Sequence, residues 1–294
     1  MTSRPPPLPP PPPSYSSLRV SWLTAGFIGL NLLVFILGSL FGVSPFAPDN
    51  ISLLKLGANF APLTATGDTW RLLSSMFVHI GVLHLLINMW ALYIFGSYAE
   101  FYFGRVFYAL LYLFSGLMGS IATTWWNLAA AEAMLTTTAP TTLPAISAGA
   151  SGAIMGLGGA LLIAAWRPRA ELPIQARLNF RVLMTLMLIN VAIGLLIPNI
   201  DNAAHLGGAV AGVMLAWLFA LTGHAVQPKQ SSQQLVRWLG IVIVLLSLGY
   251  LVERIQQRGV VLAEFGEQFR QELRPEQRQS TALEAAQDEV LRRN

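Results

Sequence analysis

Cysteine is absent from this chain of 294 residues. Disulfides, thiolate metal sites and cysteine nucleophiles are thereby excluded, and the redox compartment leaves no trace. Charge is scarce as well. Asp, Glu, Lys and Arg make up 11% of the residues, less than half of the ~25% usual for a soluble domain. Histidine occurs only four times. The formal net charge of +4 is not gathered into a basic stripe interleaved with aromatics, so it carries no footprint of nucleic-acid binding. No cleavable signal peptide is evident: the start is Pro-rich, and the first apolar run lacks a small-residue cleavage site.

What fills the chain instead is apolar: 54% hydrophobic residues and a mean hydropathy of +0.56. Seven segments, at residues 20–42, 76–98, 105–126, 149–166, 180–197, 203–222 and 235–252, approach the length needed to cross a bilayer. About 20 residues are required for some 30 Å of hydrocarbon, so the fourth, fifth and seventh are short. The expected fold is an all-α polytopic membrane helix bundle. Residues 1–18, with Pro5–Pro7 and Pro9–Pro13, read as a polyproline II tail without a core, disordered or a ligand for a proline-binding domain. Residues 19–222 form the membrane domain, 223–252 a linker and seventh span, and 253–294 a charged tail that reads as soluble helix with frayed ends. The loop at 43–75 holds Phe46, Leu53, Leu54, Leu56, Phe60 and Trp70, so it is expected to pack on or into the membrane surface.

The Lys/Arg distribution sets an orientation. With a cytoplasmic N-terminus, the inner segments hold Arg4, Arg19, Arg105, Arg167, Arg169, Arg177, Arg181, Lys229 and Arg237, and the outer loops hold only Lys55 and Arg71. The C-terminal tail then lies outside. Ser151 falls in the first turn of the fourth span and His205 in the first turn of the sixth, both entering from the outside. At 1.5 Å per residue, both lie within roughly 10 Å of the outer boundary. His79, His84 and Asn88 occupy the outer half of the second span. Ionisable groups at membrane depth are costly and point to function.

These residues suit nucleophilic catalysis. A serine hydroxyl needs a base in reach, and His205 is the candidate. The oxyanion needs donors: His84 and Asn88 share a helix face, and first-turn amides near Ser151 are unpaired. Gly152/Gly156 and Gly208/Gly212 are small-xxx-small pairs that allow helices to meet closely in lipid. Each signal has a plainer reading. Ser151 could bond its own helix carbonyl, the glycines could be ordinary packing, and His84 and Asn88 could be polar contacts between helices. Asp201, four residues before His205, invites a triad but suits a helix cap better. His79 is expected to orient a loop or bond a backbone carbonyl, and His224 to sit at the inner interface.

The chain resembles the rhomboid family of intramembrane serine proteases. The matching residues are Gly149-Ala150-Ser151-Gly152, Ala204-His205 with Gly207, Gly208 and Gly212, and His79, His84 and Asn88. Trp70-Arg71 and Glu100 with Gly104 extend the match over about residues 55–215. The resemblance implies a six-span core plus one C-terminal span and a dyad of Ser151 as nucleophile and His205 as general base. It also implies an oxyanion site at His84 and Asn88, with Trp70, Arg71 and Glu100 as structural residues. One departure is Met155, where the family often carries an aromatic that stacks on the catalytic histidine. A thioether packs on imidazole less rigidly, and activity is expected to survive.

The expected function is an intramembrane serine endopeptidase cleaving single-span transmembrane proteins in the bilayer, with no metal, no organic cofactor and no nucleic-acid partner. A water-holding pocket is expected among spans two, four and six. The localisation expected is a bacterial plasma membrane. The alternative is a non-catalytic rhomboid-like binder that escorts membrane proteins. A transporter would be expected to show an internal repeat or charged pathway residues, and neither is present in the sequence.

Overall fold

The computed structural model describes residues 21–136, 144–166, 178–196, 200–221 and 231–273. The Pro-rich tail, His224 and the chain beyond Leu273 lie outside the described residues. Nearly everything described is helical: α1 (Trp22–Leu40), α5 (Gly81–Phe103), α6 (Arg105–Thr136), α7 (Ser151–Trp166), α8 (Phe180–Leu196), α9 (Asn202–Leu221) and α10 (Ser231–Gly259). Of the described helices, α1, α5, α6 and α9 are long and apolar enough to cross a membrane, and α7 and α8 are shorter apolar helices.

Several boundaries differ from the sequence expectation. The second span begins at Gly81 rather than residue 76, because Ser75–Phe77 is a single 3₁₀ turn and Val78 is extended. Gly81 has φ 83° and lies against the Phe46 carbonyl, so a side chain there would be strained. The third span runs to Thr136, ten residues beyond the expected end at 126. The loop at 43–75 is built of three short helices, α2 (Asn50–Lys55), α3 (Ala61–Ala65) and α4 (Arg71–Ser74), with the strand β1 (Asn59–Phe60) between them. β1 pairs antiparallel with β2 (Ile146–Ser147), Asn59 opposite Ser147 and Phe60 opposite Ile146. A 3₁₀ turn (Val260–Leu262) and α11 (Ala263–Leu273) follow α10.

The core sits around α7. Eleven of its 16 residues are buried, and its contact with α9 is made of backbone. A Cβ on Gly208 would strike the Gly152 carbonyl, and one on Gly212 the Gly156 carbonyl. Small residues in register let the two helix axes approach until main chains touch, which is how helices associate where lipid removes the hydrophobic drive. The anticipated Gly152/Gly156 and Gly208/Gly212 pairs are this contact.

At the opposite end, Glu100 closes the N-terminus of α1. Its Oε2 accepts from the Thr24 amide and from Thr24 Oγ1, both at 2.9 Å, and its Oε1 accepts from the Leu23 amide at 3.4 Å. A carboxylate facing unpaired first-turn amides neutralises the helix dipole there. Otherwise only Thr24, Asn31 and Gly38 of α1 are buried, and Phe27 packs on the core by stacking on Tyr112. Gly38 makes room for the side chain of Leu56 from the first loop.

Candidate active site

α5, α7 and α9 all begin at the same face of the bundle, and their first turns carry His84, Ser151 and His205. α7 is only about 24 Å long at 1.5 Å per residue, against some 30 Å of hydrocarbon. β2 and the turn at Gly149-Ala150 precede it and deliver Ser151 as its first residue. That turn is tightly specified. Gly149 has φ 127°, and its amide donates to the Ser75 carbonyl at 2.9 Å. A Cβ on it would meet the His84 ring, 2.7 Å from Cε1 and 3.0 Å from Nε2. Gly149 is therefore required twice, for its left-handed backbone and for the imidazole laid against it.

His84 is oriented by the chain before its helix. The Ile80 amide donates to His84 Nδ1 at 3.3 Å, so in neutral imidazole the proton resides on Nε2, the nitrogen facing Gly149. Asn88 is buried on the same face, and its Nδ2 donates to the His84 carbonyl at 2.9 Å. One of the two amide hydrogens is engaged by its own helix and the other is available. His79 is buried, its Nδ1 lies 3.3 Å from the Phe77 carbonyl, and its ring is 5.3 Å from that of His84. It braces the entry to α5 through a backbone carbonyl, one of the two roles expected for it.

On the other side of Ser151, a Cβ on Gly152 would lie 3.3 Å from the Ala204 carbonyl. Ser151 is thus flanked by Gly149 on His84 and by Gly152 on the residue preceding His205. Among the described residues no hydrogen bond joins Ser151 to His205, and His205 Nδ1 is buried without a partner. Asp201 does not orient the imidazole. Its Oδ1 accepts from the Ala204 amide at 2.9 Å, and its carbonyl accepts from the His205 amide at 3.1 Å. It caps α9, as a carboxylate at a helix start ordinarily does. Met155 is buried one turn along α7 from Ser151. No three-residue cluster of potential metal ligands occurs among the described residues.

Sequence reasoning missed the polar network behind the site. Buried Asn59 donates from Nδ2 to the Ser120 carbonyl (3.1 Å) and Thr124 Oγ1 (2.9 Å), and its Oδ1 accepts from Thr64 Oγ1 (2.7 Å). Ser120 Oγ is 3.3 Å from Ser75 Oγ, the residue whose carbonyl holds Gly149. The buried Arg71 donates from Nη1 to the Leu54 and Ala58 carbonyls at 2.6 and 3.1 Å and from Nε to Asp68 at 3.0 Å. Burial acts first on this guanidinium and lowers its pKa, with Asp68 opposing. The only signal was a cluster of Asn, Thr and Ser in otherwise apolar surroundings.

A cavity of about 1800 Å³ runs along α6, α9 and α10. It reaches Ile80, Ile146 and Asp201, at the end of the bundle where α5, α7 and α9 begin.

A Rhomboid domain profile matches residues 66–222. Among curated proteins, rhomboid protease AarA of Providencia stuartii is 31% identical over 214 residues, covering 71% of this chain and 76% of that protein. Rhomboid protease GluP of Bacillus subtilis (strain 168) is 32% identical over 225 residues, covering 76% of this chain and 39% of that protein. RHOMBOID-like protein 6, mitochondrial, of Arabidopsis thaliana is 35% identical over 183 residues, 60% of this chain and 53% of that protein. The chain thus spans between about two fifths and three quarters of the length of these relatives.

Proposed function

Because the chain belongs to the rhomboid family, and is an integral membrane protein of apolar helices, we propose that it is an intramembrane serine endopeptidase working through a Ser151–His205 dyad. The observation that carries this is the seating of Ser151 between Gly149, which lies on His84, and Gly152, which lies on Ala204. Ser151 Oγ attacks the scissile carbonyl carbon and passes its proton to His205. The tetrahedral oxyanion takes hydrogen bonds from His84 Nε2–H, from the available Asn88 amide hydrogen and from the unpaired first-turn amides of α7. His205 returns the proton to the leaving amine. Water, deprotonated by His205, then attacks the acyl carbon and releases Ser151. With Asp201 engaged as a cap, the histidine is oriented by packing rather than by a carboxylate.

The substrates are single-span transmembrane proteins entering from the lipid, cut near the outer face. The N-terminus is cytoplasmic and the C-terminus outside, in a bacterial plasma membrane. Residues 1–18 form a separate tail, 19–222 the catalytic membrane domain, and 223–252 a linker with a seventh span.

Labelling by a fluorophosphonate probe tests the reading. Wild-type protein in detergent should label and Ser151→Ala should not. Absence of labelling in the wild type would sink the protease and favour the escort reading.

A further inference from the structure

The end of α10 and the segment after it are fastened to the first loop, with Arg270 bonded to residues 202 and 204 positions away. Gly259 lies on the Ala65 carbonyl and Gly266 on the Thr66 side chain, each so close that a Cβ would collide. Arg270 of α11 then grips the turn after α3. Its Nη2 donates to the Thr66 carbonyl at 2.6 Å and to Thr66 Oγ1 at 2.7 Å, and its Nε donates to Asp68 Oδ1 at 3.1 Å. Its Nη1 donates to Glu267 at 3.2 Å. Asp68 accepts from Arg71 on its other oxygen, so one carboxylate is shared between two guanidinium groups. An isolated exposed ion pair contributes little. Here the carboxylate is mostly buried, at 18% exposure, and the planar fork also satisfies a backbone carbonyl.

What the grip holds is next to the chemistry. Arg71 carries the carbonyls of Leu54 and Ala58, immediately before β1. Leu273, at the end of α11, packs on the cluster of Leu54, Phe60 and Leu63 together with Ile146 of β2. The β1–β2 pair is therefore held from the ion network on one side and from Leu273 on the other. Two residues separate β2 from Ala150, and Ser151 follows. A two-stranded pair of two residues each is not stable alone, so its position depends on what covers it.

We propose that Arg270 is a positioning residue for the Ser151 site, setting the β1–β2 pair through Asp68 and Arg71. This rests on the protease reading, and the test separates the two. Full-length wild type, Arg270→Ala and Arg270→Lys are purified in one detergent and compared by amide hydrogen exchange and by steady-state cleavage of a single-span substrate. In Arg270→Ala, exchange of residues 58–61 and 145–149 should rise about tenfold while α7 and α9 stay protected. The kcat should fall about fivefold with KM within about twofold of wild type. Arg270→Lys should recover part of both, since an ammonium can meet Asp68 but cannot also span Thr66. Exchange and kcat unchanged within about twofold in Arg270→Ala would overturn the proposal. So would protection lost equally across α7 and α9, which would make Arg270 a general stabilising contact. The local exchange pattern in a wild type that cleaves nothing would sink the protease reading and leave the positioning standing.

Discussion

α7 and α8 are two apolar helices of 16 and 17 residues with opposite fates. α7 is buried nearly all round, whereas only Leu183, Met187 and Gly194 of α8 are buried. Apolarity does not separate them, because lipid is as good a solvent for leucine as protein is. Side-chain size does. α7 offers Gly152, Gly156, Gly158 and Gly159 to its neighbours, while α8 turns Val182, Leu188, Leu195 and Leu196 outward. In a bilayer the helix that can bring its backbone close goes to the centre, and the helix with long side chains stays at the edge. The nucleophile rides on the first kind.

The comparison breaks most visibly at the α7–α9 contact. Gly208→Val would drive a branched side chain into the Gly152 carbonyl, and should cost more than about 3 kcal/mol. Thermal unfolding in detergent should show a large drop and cleavage should vanish; a wild-type unfolding midpoint would refute backbone contact. Next is His84→Ala, which leaves the helix packing and removes the Nε2 donor. Its kcat should fall about 10²–10³-fold, the loss typical of one oxyanion donor, with unfolding unchanged. A rate within a factor of two would remove His84 from the mechanism. Met155→Ala tests whether a thioether holds the His205 ring. A drop of several-fold in cleavage is expected, and an unchanged rate would show that Met155 has no such role. The smallest effect belongs to α8: Leu188→Ala, 60% exposed, should alter stability by less than about 0.5 kcal/mol.

The sequence carried the helices because hydropathy and length are local properties. The starts of α7 at Ser151 and of α9 beside His205 were also legible, since a Gly-Ala turn and an Asp cap mark helix starts locally. The roles of these residues are the proposal above. Other features were not legible because their partners are remote. Nothing near Asp68 foretells Arg270, and nothing near Thr24 foretells Glu100. The three short helices at 43–75 escaped because four to six residues carry too little periodicity to register. Asn88 looked free to donate, but one amide hydrogen goes to the His84 carbonyl, a contact open to a short side chain with a donor four positions along a helix.

The one-sided hold on α1 has a consequence of its own. Its buried residues, Thr24, Asn31 and Gly38, recur every seventh position, and seven residues make nearly two turns. α1 therefore meets the bundle along one side, where Phe27 also stacks on Tyr112 with ring centroids 4.2 Å apart. The leucines and isoleucines of its other side, Leu33, Ile36 and Leu40 among them, are exposed and indifferent to rotation. Its azimuth is fixed by Thr24 on Glu100 at one end, by the ring stack between, and by the absence of a side chain opposite Leu56 at the other, like a key cut at a few points along one edge.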